Sequence, residues 1–248
     1  MRMPTKTVTG VVIAIVLVVA IAITFALLIP HKQKPAEQIE EREMQKIEVG
    51  ERIKLPAPDY RGNTSVEEAL SKRRSVRFYS GENLSIEEVS QLLWAAQGIT
   101  GTGRTAPSAG ALYPLELYLV VGDVEGLDKG VYQYRPVEHE LEKVVTGDVQ
   151  VELSKAAVGQ NQEHVRDAAV DLVFTAVYER TTGKYGERGF RYVHMEAGHA
   201  AQNVYLQAVS LELGTVVIGA FNDDKVKELV NAEEQEEPLY IMPVGRML

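Results

Sequence analysis

The segment from Lys184 to Gly214 carries a long helical pattern of apolar residues that recur at steps of three and four. Such spacing places these side chains on one face of a single helix. The residues are Val193, Ala197, Ala200, Ala201, Val204, Ala208 and Leu211. Most of them are alanine, and small side chains allow another backbone or a flat ligand to come close. We therefore expect a helix in the middle of an assembly, stopped by a left-handed glycine at Gly214.

The opposite face of this predicted helix is polar and carries His194, Glu196 and His199. These residue types bind metals, but the two histidines are five residues apart and do not share a helix face. Zinc-binding H-E-x-x-H helices place their histidines four residues apart. We therefore predict no metal site and interpret the histidines as structural or interface residues.

The N-terminus contains an uncharged apolar run of 19 residues, from Val11 to Ile29. A helix of this length spans the hydrocarbon core of a membrane. A cleaved signal peptide is the alternative, because Arg2 and Lys6 form a positive N-terminal region. The run is long for that purpose, however, and no small-residue cleavage site precedes Pro30. We predict a single-pass anchor over residues 1–30 in the cell membrane, and basic residues on both flanks leave its orientation open.

A charged linker and one soluble domain follow the predicted anchor. Residues 31–52 are rich in glutamate and lack apolar periodicity, which is typical of an exposed linker. Residues 53–248 suit one globular domain of ordinary size. The net charge of −9 argues against a general nucleic-acid-binding protein. The sequence has no cysteine, which excludes disulfides, thiolate metal sites and cysteine nucleophiles.

Helical and strand patterns alternate irregularly along this domain. Ser65 and Ser85 are each followed by glutamate three residues later, which is capping-box spacing and predicts a helix start after each serine. Further helices are predicted at 149–158 and 223–229, and strands at 115–121, 131–134, 141–145, 168–177, 215–218 and 239–243. Because there is no strict βαβ repeat, we predict an α+β fold rather than a doubly wound sheet.

Positive charge is concentrated where the first predicted helix ends, at Arg73, Arg74, Ser75 and Arg77. Guanidinium groups bind phosphate bidentately, and a serine hydroxyl adds a hydrogen bond. A basic helix end that interacts favourably with the helix dipole is an equally good interpretation. The residues alone leave both interpretations open.

A second basic cluster surrounds Lys184 and Tyr185, with Arg188 and Arg191 close by in the sequence. Nearby positive charge favours a neutral amine or a tyrosinate, and either of these accepts a proton. The cluster therefore suits proton abstraction. The more common alternative is an exposed basic turn.

The segment 98–114 is rich in glycine and other small residues. Gly98, Gly101 and Gly103 lack the G-x-G-x-x-G spacing and follow a predicted helix, which argues against a Rossmann dinucleotide site. Residues 106–114 would instead let main-chain groups approach a flat ring closely. An ordinary tight loop before a strand is the alternative.

Taken together, these segments resemble the nitroreductase family of flavoproteins, and within it the SagB-type branch of azoline dehydrogenase-like proteins. The resemblance covers Glu51 to Leu248 and rests on eight motifs in order. They are ERIKLPAP at Glu51, RRSVRFYSG at Arg73, LLWAAQGIT at Leu92, APSAGALYPLELYLV at Ala106, GVYQY at Gly130, KYGERGFRY at Lys184, EAGHAAQN at Glu196 and PVG at Pro243.

The resemblance implies an α+β fold with a central mixed sheet flanked by helices, and an intimate homodimer that binds FMN at the subunit interface. The implied cofactor contacts are Arg73, Arg74, Ser75 and Arg77 at the phosphate, Pro107, Ser108, Ala109 and Gly110 along the isoalloxazine, and Ile218, Gly219 and Ala220 near its N5. Arg246 is the basic residue available after the closing PVG, where many relatives have a further phosphate contact. The alanine face of the long helix becomes a candidate dimer contact.

Lys184 and Tyr185 match a pair that is linked to catalysis in azoline dehydrogenases. The implied function is an FMN-dependent oxidoreductase, either a SagB-type dehydrogenase of a peptide azoline or a reductase of small molecules. NAD(P)H is a candidate electron donor. In the dehydrogenase a base removes a proton while a hydride passes to the flavin. The alternative is a non-catalytic, membrane-tethered binding module that retains the dimer fold, which the short tail after Gly245 supports.

Overall fold

A seven-stranded sheet runs through the part of the chain that the structure, a computed structural model, describes: residues 48–248. Its strand order is β1-β6-β5-β4-β7-β9-β8. The strands are β1 (Arg52–Lys54), β4 (Leu115–Val121), β5 (Gly130–Arg135), β6 (Glu140–Thr146), β7 (Val170–Val177), β8 (Leu213–Thr215) and β9 (Glu236–Arg246), and a separate hairpin is formed by β2 (Ile99–Thr100) and β3 (Gly103–Arg104). Neighbouring strands of the sheet all pair antiparallel. A parallel bridge between Ser75 and Thr215 beside β8 makes the sheet mixed at that edge.

Helices cover both faces of this sheet, as the α+β prediction requires. They are α1 (Val66–Lys72), α2 (Ile86–Gln97), α3 (Gln150–Ala156), α4 (Asn161–Arg166), α5 (Glu179–Tyr185), α6 (Arg188–Ser210) and α7 (Asp223–Leu229). One apolar core lies between the sheet and the pair α2 and α6. A second core lies between the other face of the sheet and α3, α4 and α7. The predicted strand 115–121 and helix 223–229 are confirmed to the residue.

The two serines that predicted helix starts both act as N-caps. The hydroxyl of Ser85 accepts from the backbone N–H of Glu88, whose carboxylate accepts in return from the N–H of Ser85, so this capping box is complete. At α1 only the first half forms, because Ser65 accepts from the N–H of Glu68 while the Glu68 carboxylate pairs with Lys72. Each cap satisfies backbone donors that the first helical turn leaves unpaired.

Lys184 and Tyr185 precede the long helix as predicted but belong to a short helix rather than a turn, and the predicted stop of the long helix at Gly214 is wrong. Lys184 and Tyr185 lie in the last turn of α5, and Gly186, with φ 58°, separates that helix from α6. At the other end α6 stops at Ser210, and the left-handed residue is Glu212, with φ 59°. Gly214 lies in β8, where a Cβ would come within 2.5 Å of the Val76 side chain. Position 214 is therefore glycine because two segments approach closely there, and not because a helix stops there.

The alanine face of α6 is buried by the chain's own sheet. Ala197, Ala200 and Ala201 are exposed by 3% or less within a single chain. They therefore pack in the core between α6 and the sheet, and the prediction that they form a dimer contact is wrong. Glu196, assigned above to the polar face, is also buried, at 2% exposure. The small side chains let α6 lie close to the strands that carry the candidate site.

The predicted anchor (1–30) and most of the predicted linker (31–52) fall outside the residues that the structure describes. Among residues 48–248, no helix is long and apolar enough to cross a membrane. The described domain includes β1, which begins at Arg52 and pairs with β6. This strand begins one residue before the predicted start of the domain at 53.

Candidate active site

The arginine-rich segment leaves α1 in an extended conformation and runs along β8. Ser75 bridges Thr215, and the backbone N–H of Val76 donates to the Thr215 carbonyl over 2.9 Å. The guanidinium of Arg73 lies over the ring of Tyr205, 5.1 Å from its centroid. The Ser75 hydroxyl lies 3.3 Å from the Tyr205 hydroxyl. Tyr205, on α6, thus gathers two of the predicted phosphate ligands at one place.

A surface cavity of about 700 Å³ lies beside this segment. It is lined by Ser71, Lys72, Arg73, Arg74, Val76, Tyr205, Ala208, Val209, Glu212, Leu213, Thr215 and Met247. Its volume is within the range of ligand-binding clefts, about 300–1,000 Å³. In residues 48–248 no carboxylate forms an ion pair with Arg73, Arg74 or Arg77. Arg73 and Arg74 line the cavity and Arg77 does not. Unpaired guanidiniums there favour an anionic ligand, because an anion compensates their charge.

The predicted turn at Ile218 lies near the same end of α6. The Tyr205 hydroxyl, already beside Ser75, also accepts from the backbone N–H of Val217 over 2.9 Å. Ile218 is buried and pairs with Ile241 of β9 through two backbone hydrogen bonds. Gly219 and Ala220, which follow, are exposed.

The surroundings of Gly219 leave space for a ligand. A Cβ built at this position would meet no atom within 4 Å. The carbonyl of Ala220 accepts from the backbone N–H of Val158 over 3.0 Å, which fixes the far end of the turn. The turn 218–220 is thus held at both ends while its middle faces open space.

Arg246 differs from the other predicted phosphate ligands because carboxylates already surround it. Its Nη2 lies 3.0 Å from Oε2 of Glu88, the residue that completes the α2 capping box, and its Nε lies 3.8 Å from Oε2 of Glu82. A phosphate contact would require Arg246 to exchange these partners. The structure therefore does not bring this side chain together with the unpaired arginines.

Lys184 and Tyr185 converge on the backbone of Gly110. A Cβ built at Gly110 would lie 2.7 Å from the Tyr185 hydroxyl and 2.9 Å from Nζ of Lys184. Gly110 also has φ 64°, which glycine adopts without strain. The tips of the predicted catalytic pair thus meet at the loop predicted to contact a flat ring.

Arg180 holds α5 in contact with the loop that contains Gly110. Its Nη1 forms an ion pair with Oε1 of Glu116 at 2.6 Å and donates to the carbonyl of Tyr113 over 3.1 Å. Lys184 is one helical turn further along, on the same face of α5. The clamp by Arg180 therefore directs Lys184 towards residue 110. Nothing in the local sequence pattern indicated a role for Arg180.

The loop itself holds an unusual backbone conformation. Ala111 and Tyr113, with φ of 55° and 47°, are left-handed although they are not glycine. Such residues cost about 1–3 kcal/mol each and persist only where the surroundings enforce them. Ser108 provides part of that enforcement, because its hydroxyl accepts from the Tyr113 N–H over 2.9 Å. Strain of this kind is concentrated at binding and catalytic sites.

The predicted isoalloxazine contacts have different environments on this loop. Pro107 and Gly110 are exposed, while Ser108 and Ala109 are partly buried. The preceding Ala106 is 1% exposed and anchors the loop in the core. Because Ser108 directs its hydroxyl inward, the outer surface of the loop consists mainly of backbone and small side chains. This surface suits contact with a flat ring.

The two clusters lie at opposite ends of α6. Tyr185 packs edge-on against Tyr192, with ring centroids 5.2 Å apart, whereas Ser75 contacts Tyr205. At 1.5 Å per residue, Tyr192 and Tyr205 are separated by about 20 Å along the helix axis. One chain therefore does not bring its own arginine cluster together with its own Lys184–Tyr185 pair.

Glu196 lies beneath the loop and is a functional candidate that the sequence analysis placed wrongly. Burial raises the pKa of this carboxyl to about 7, against smaller opposite effects of the Ser108 hydroxyl and the Arg104 charge. The sequence did contain a signal for the burial of Glu196. This residue lies three positions after Val193 and four before Ala200, which places it on the apolar face of the predicted helix.

We predict that Gly110→Ala displaces the tips of Lys184 and Tyr185 at little additional cost in stability. Gly126 is a matched control, since it has φ 76° and nothing within 4 Å of a built Cβ. Both substitutions should lower the free energy of unfolding by a similar amount, about 1–2 kcal/mol, because both strain a left-handed position. Only Gly110→Ala should shift the NMR signals of the Tyr185 ring. Unchanged Tyr185 signals would contradict the convergence described above.

Comparison with known proteins gives the same family as the resemblance. The Nitroreductase family model matches residues 70–246. MJ1384 from Methanocaldococcus jannaschii, which its name assigns provisionally to the nitroreductases, is 46% identical over 202 residues, covering 81% of this chain and all of the relative. The microcin B17-processing protein McbC of Escherichia coli is 30% identical over 194 residues, covering 74% of this chain and 71% of the relative.

A solved structure of the E. coli microcin synthetase McbBCD complex, with truncated pro-MccB17 bound, contains a similar chain. The similarity has a TM-score of 0.61 at 26% identity and covers 100% of this chain and 98% of that chain. With the family model spanning most of the domain and McbC among the relatives, this chain belongs to the nitroreductase family, in its SagB-type branch.

Proposed function

We propose that this protein is an FMN-dependent oxidoreductase in which Lys184 and Tyr185 act beside the reacting atoms. The observation that carries the proposal is the convergence of Lys184 Nζ and the Tyr185 hydroxyl on Gly110, a position with no side chain of its own. A basic amine and a phenol at one exposed point of a strained loop are groups that exchange protons with a ligand. Family membership supports redox chemistry at this point.

The residues present fit FMN. Arg73 and Ser75 are gathered by Tyr205 at the cavity, and Arg74 lines it, so a phosphate there would meet unpaired guanidiniums and a hydroxyl. Gly219, at the same end of α6, leaves space for a flat ring. When bound, FMN supplies a two-electron carrier, a role for which the protein's own side chains offer no substitute.

The protein's own contribution is to bind, orient and transfer a proton. Arg180 fixes α5 against the loop through Glu116 and the Tyr113 carbonyl. This clamp places Nζ of Lys184 to act as the base toward a substrate carbon held beside Gly110. The Tyr185 hydroxyl, packed in place by Tyr192, donates a hydrogen bond to a heteroatom of the same substrate. Positioning of this kind is a large part of what a protein adds to cofactor chemistry.

We propose further that the active unit is a homodimer. The Lys184–Tyr185 pair and the arginine cluster contact α6 at Tyr192 and Tyr205, about 20 Å apart along the helix axis. This separation supports the dimer, because the phosphate and the reactive N5 of one FMN are closer together than that. A second copy would supply the missing half of each site. Sedimentation of the purified protein with and without FMN tests the dimer.

The substrate class that we favour is an azoline-containing peptide. Lys184 and Tyr185 supply the base and hydrogen-bond donor that aromatisation of a thiazoline requires, and the related McbBCD structure holds truncated pro-MccB17. Reduction of small electrophiles, with NAD(P)H as the electron donor, is the second candidate within the same reaction class. Turnover assays with a synthetic thiazoline peptide and with a nitroaromatic compound distinguish them.

A non-catalytic binding module is the alternative from another class. The pairing of Arg246 with Glu88 favours it, because a residue predicted to bind the phosphate is already neutralised.

In either case we propose that residues 1–30 tether the protein to the cell membrane. Fractionation of cells that express the full chain, with and without residues 1–30, tests the tether.

The experiment that decides the proposal is purification of the protein and measurement of bound flavin. We expect a yellow protein that carries FMN and is bleached by NAD(P)H or by dithionite. A colourless protein that does not bind added FMN would overturn the proposal and favour the binding module.

A further inference from the structure

A buried carboxyl group lies directly beneath the loop that faces Lys184 and Tyr185. Glu196 is 2% exposed and belongs to α6, against which the loop 105–113 packs. The loop is tied to the same helix at its start, where Asn203 donates to the Thr105 carbonyl over 3.2 Å. An ionisable group therefore sits under a strained segment and is shielded from water by that segment.

The hydrogen bonds around Glu196 are incomplete. The Ser108 hydroxyl lies within hydrogen-bonding reach of the carboxyl and accepts from the Tyr113 N–H, which forms a short chain from helix to loop. Oε1 of Glu196 has no hydrogen-bond partner among the described residues. A buried carboxylate oxygen without a partner is costly when charged and far less so when the group is protonated.

One charged group, Arg104 on β3, acts on Glu196 from the elements packed around it. Its guanidinium lies over the Tyr113 ring, 4.5 Å from the centroid, and donates to Oε1 of Gln97 on α2. Glu116 on β4 and Arg180 on α5 act on the Arg104 charge in opposite directions. The attraction of Arg104 does not offset the burial of Glu196.

We propose that Glu196 is a positioning residue whose protonation holds the loop 105–113, and with it Gly110, closed against α6. The inference concerns the site assigned under the proposed function, but it describes the chain without a cofactor. When Glu196 loses its proton, the closed loop encloses a charge with an unpaired oxygen, whereas an open loop lets water reach it. Ionisation of Glu196 therefore favours opening, and a neutral carboxyl favours the geometry in which Gly110 meets Lys184 and Tyr185.

The direction of the pH dependence follows from linkage. Glu196 binds its proton more tightly in the closed loop, where its pKa is about 7, than in an open, hydrated loop, where an ordinary carboxyl has a pKa near 4.5. The closed state is therefore favoured at low pH, and its advantage declines as pH rises through about 7. Between pH 6 and pH 7 the opening equilibrium of the loop should rise about fivefold, and above pH 7 it should level off.

Amide hydrogen exchange of the purified full chain without added flavin tests this inference. Protection of the peptide that covers residues 105–113, corrected for the intrinsic pH dependence of exchange, should fall about fivefold from pH 6 to pH 7. Glu196→Gln is neutral at every pH and retains an acceptor for Ser108, so its loop should be at least as protected as the wild type at pH 7 and show no such fall.

Asp171→Asn is the matched control. Asp171 is a fully buried acid on β7 that pairs with Gln150 on the other side of the sheet, and burial raises its pKa well above the usual range. This variant should keep the wild-type trend in the loop. A fivefold fall that persists in Glu196→Gln, or that also disappears in Asp171→Asn, would overturn the inference.

The FMN affinity of the same variants separates this inference from the proposed function. If the loop contacts the cofactor, FMN binding should weaken from pH 6 to pH 7 in the wild type and not in Glu196→Gln. A wild type that binds no FMN at either pH, but shows the expected exchange pattern, would overturn the proposed function and support the role of Glu196.

Discussion

Replacement of Lys184 by alanine should lower turnover by about 10²–10⁴-fold and leave FMN bound. Nζ of Lys184 and the Tyr185 hydroxyl are the two groups that meet at Gly110, and neither lies near the arginine cluster of the same chain. Loss of a positioned general base lowers a rate by about 10²–10⁴-fold. We therefore expect kcat for a thiazoline peptide to fall by that factor in Lys184→Ala, with the flavin absorbance per protein unchanged.

Two further variants make this prediction specific. Lys155→Ala removes an exposed lysine of α3 that pairs with Glu152, and should leave turnover unchanged. Tyr185→Phe retains the ring contact with Tyr192 but removes the hydroxyl, and should give an intermediate loss. If Lys184→Ala turned over the peptide at the wild-type rate, Lys184 would not be the base. If it lost flavin together with activity, its role would be in binding.

The parts of the fold that could be predicted from the sequence are those that local physical chemistry determines. Ser85 and Glu88 fix the start of α2 because the capping box is closed within four residues. The strand at 115–121 is a run of apolar and β-branched residues that only a buried strand accommodates well. The sequence signals for the short helices α4 and α5 were weaker than that for α2, because neither helix has a side chain that caps its N-terminus.

The features that escaped prediction depend on contacts between segments far apart in the chain. Gly214 has the position of a helix stop, but its lack of a side chain is required by Val76 on a neighbouring segment. Glu196 is polar in the sequence and is buried because a loop from residues 105–113 covers it. The role of Arg180 depends on Glu116 and on the backbone of Tyr113, more than 60 residues earlier in the chain. No local pattern encodes such pairings.

The candidate site shows the same division. The arginine cluster could be proposed from the run of arginines in the sequence. The structure adds that Arg73 and Ser75 both contact Tyr205. The Lys184–Tyr185 pair was named through the resemblance, and the structure adds its convergence on Gly110. The separation of the two clusters along α6 was not foreseeable, because it required the length and contacts of that helix. This separation supports the proposal that a second copy of the chain completes the site.

Removal of Arg73 and Arg77 together should strip the protein of FMN. Arg73 lines the cavity and is held over the Tyr205 ring, while Arg77 is exposed two residues beyond Ser75. Hydrogen bonds to charged groups contribute about 1.5–3 kcal/mol each, so the double variant should bind FMN at least 100-fold more weakly. Because Arg73 is pre-positioned and Arg77 is not, Arg73→Ala alone should account for the larger part. Titration of the apoprotein with FMN, followed by flavin fluorescence, measures both effects.

A double variant of paired arginines controls for the loss of positive charge. Arg52 pairs with Glu142 and Arg166 with Asp167, and both lie away from the cavity, so Arg52→Ala with Arg166→Ala removes the same formal charge. This control should retain FMN, since long-range attraction between exposed charges is largely screened at physiological salt. Equal losses of affinity in the two double variants would mean that overall charge, and not the site beside Tyr205, attracts the phosphate. Retention of FMN by Arg73→Ala with Arg77→Ala would move the phosphate site elsewhere, and Arg246, released from Glu88, would be the next residue to test.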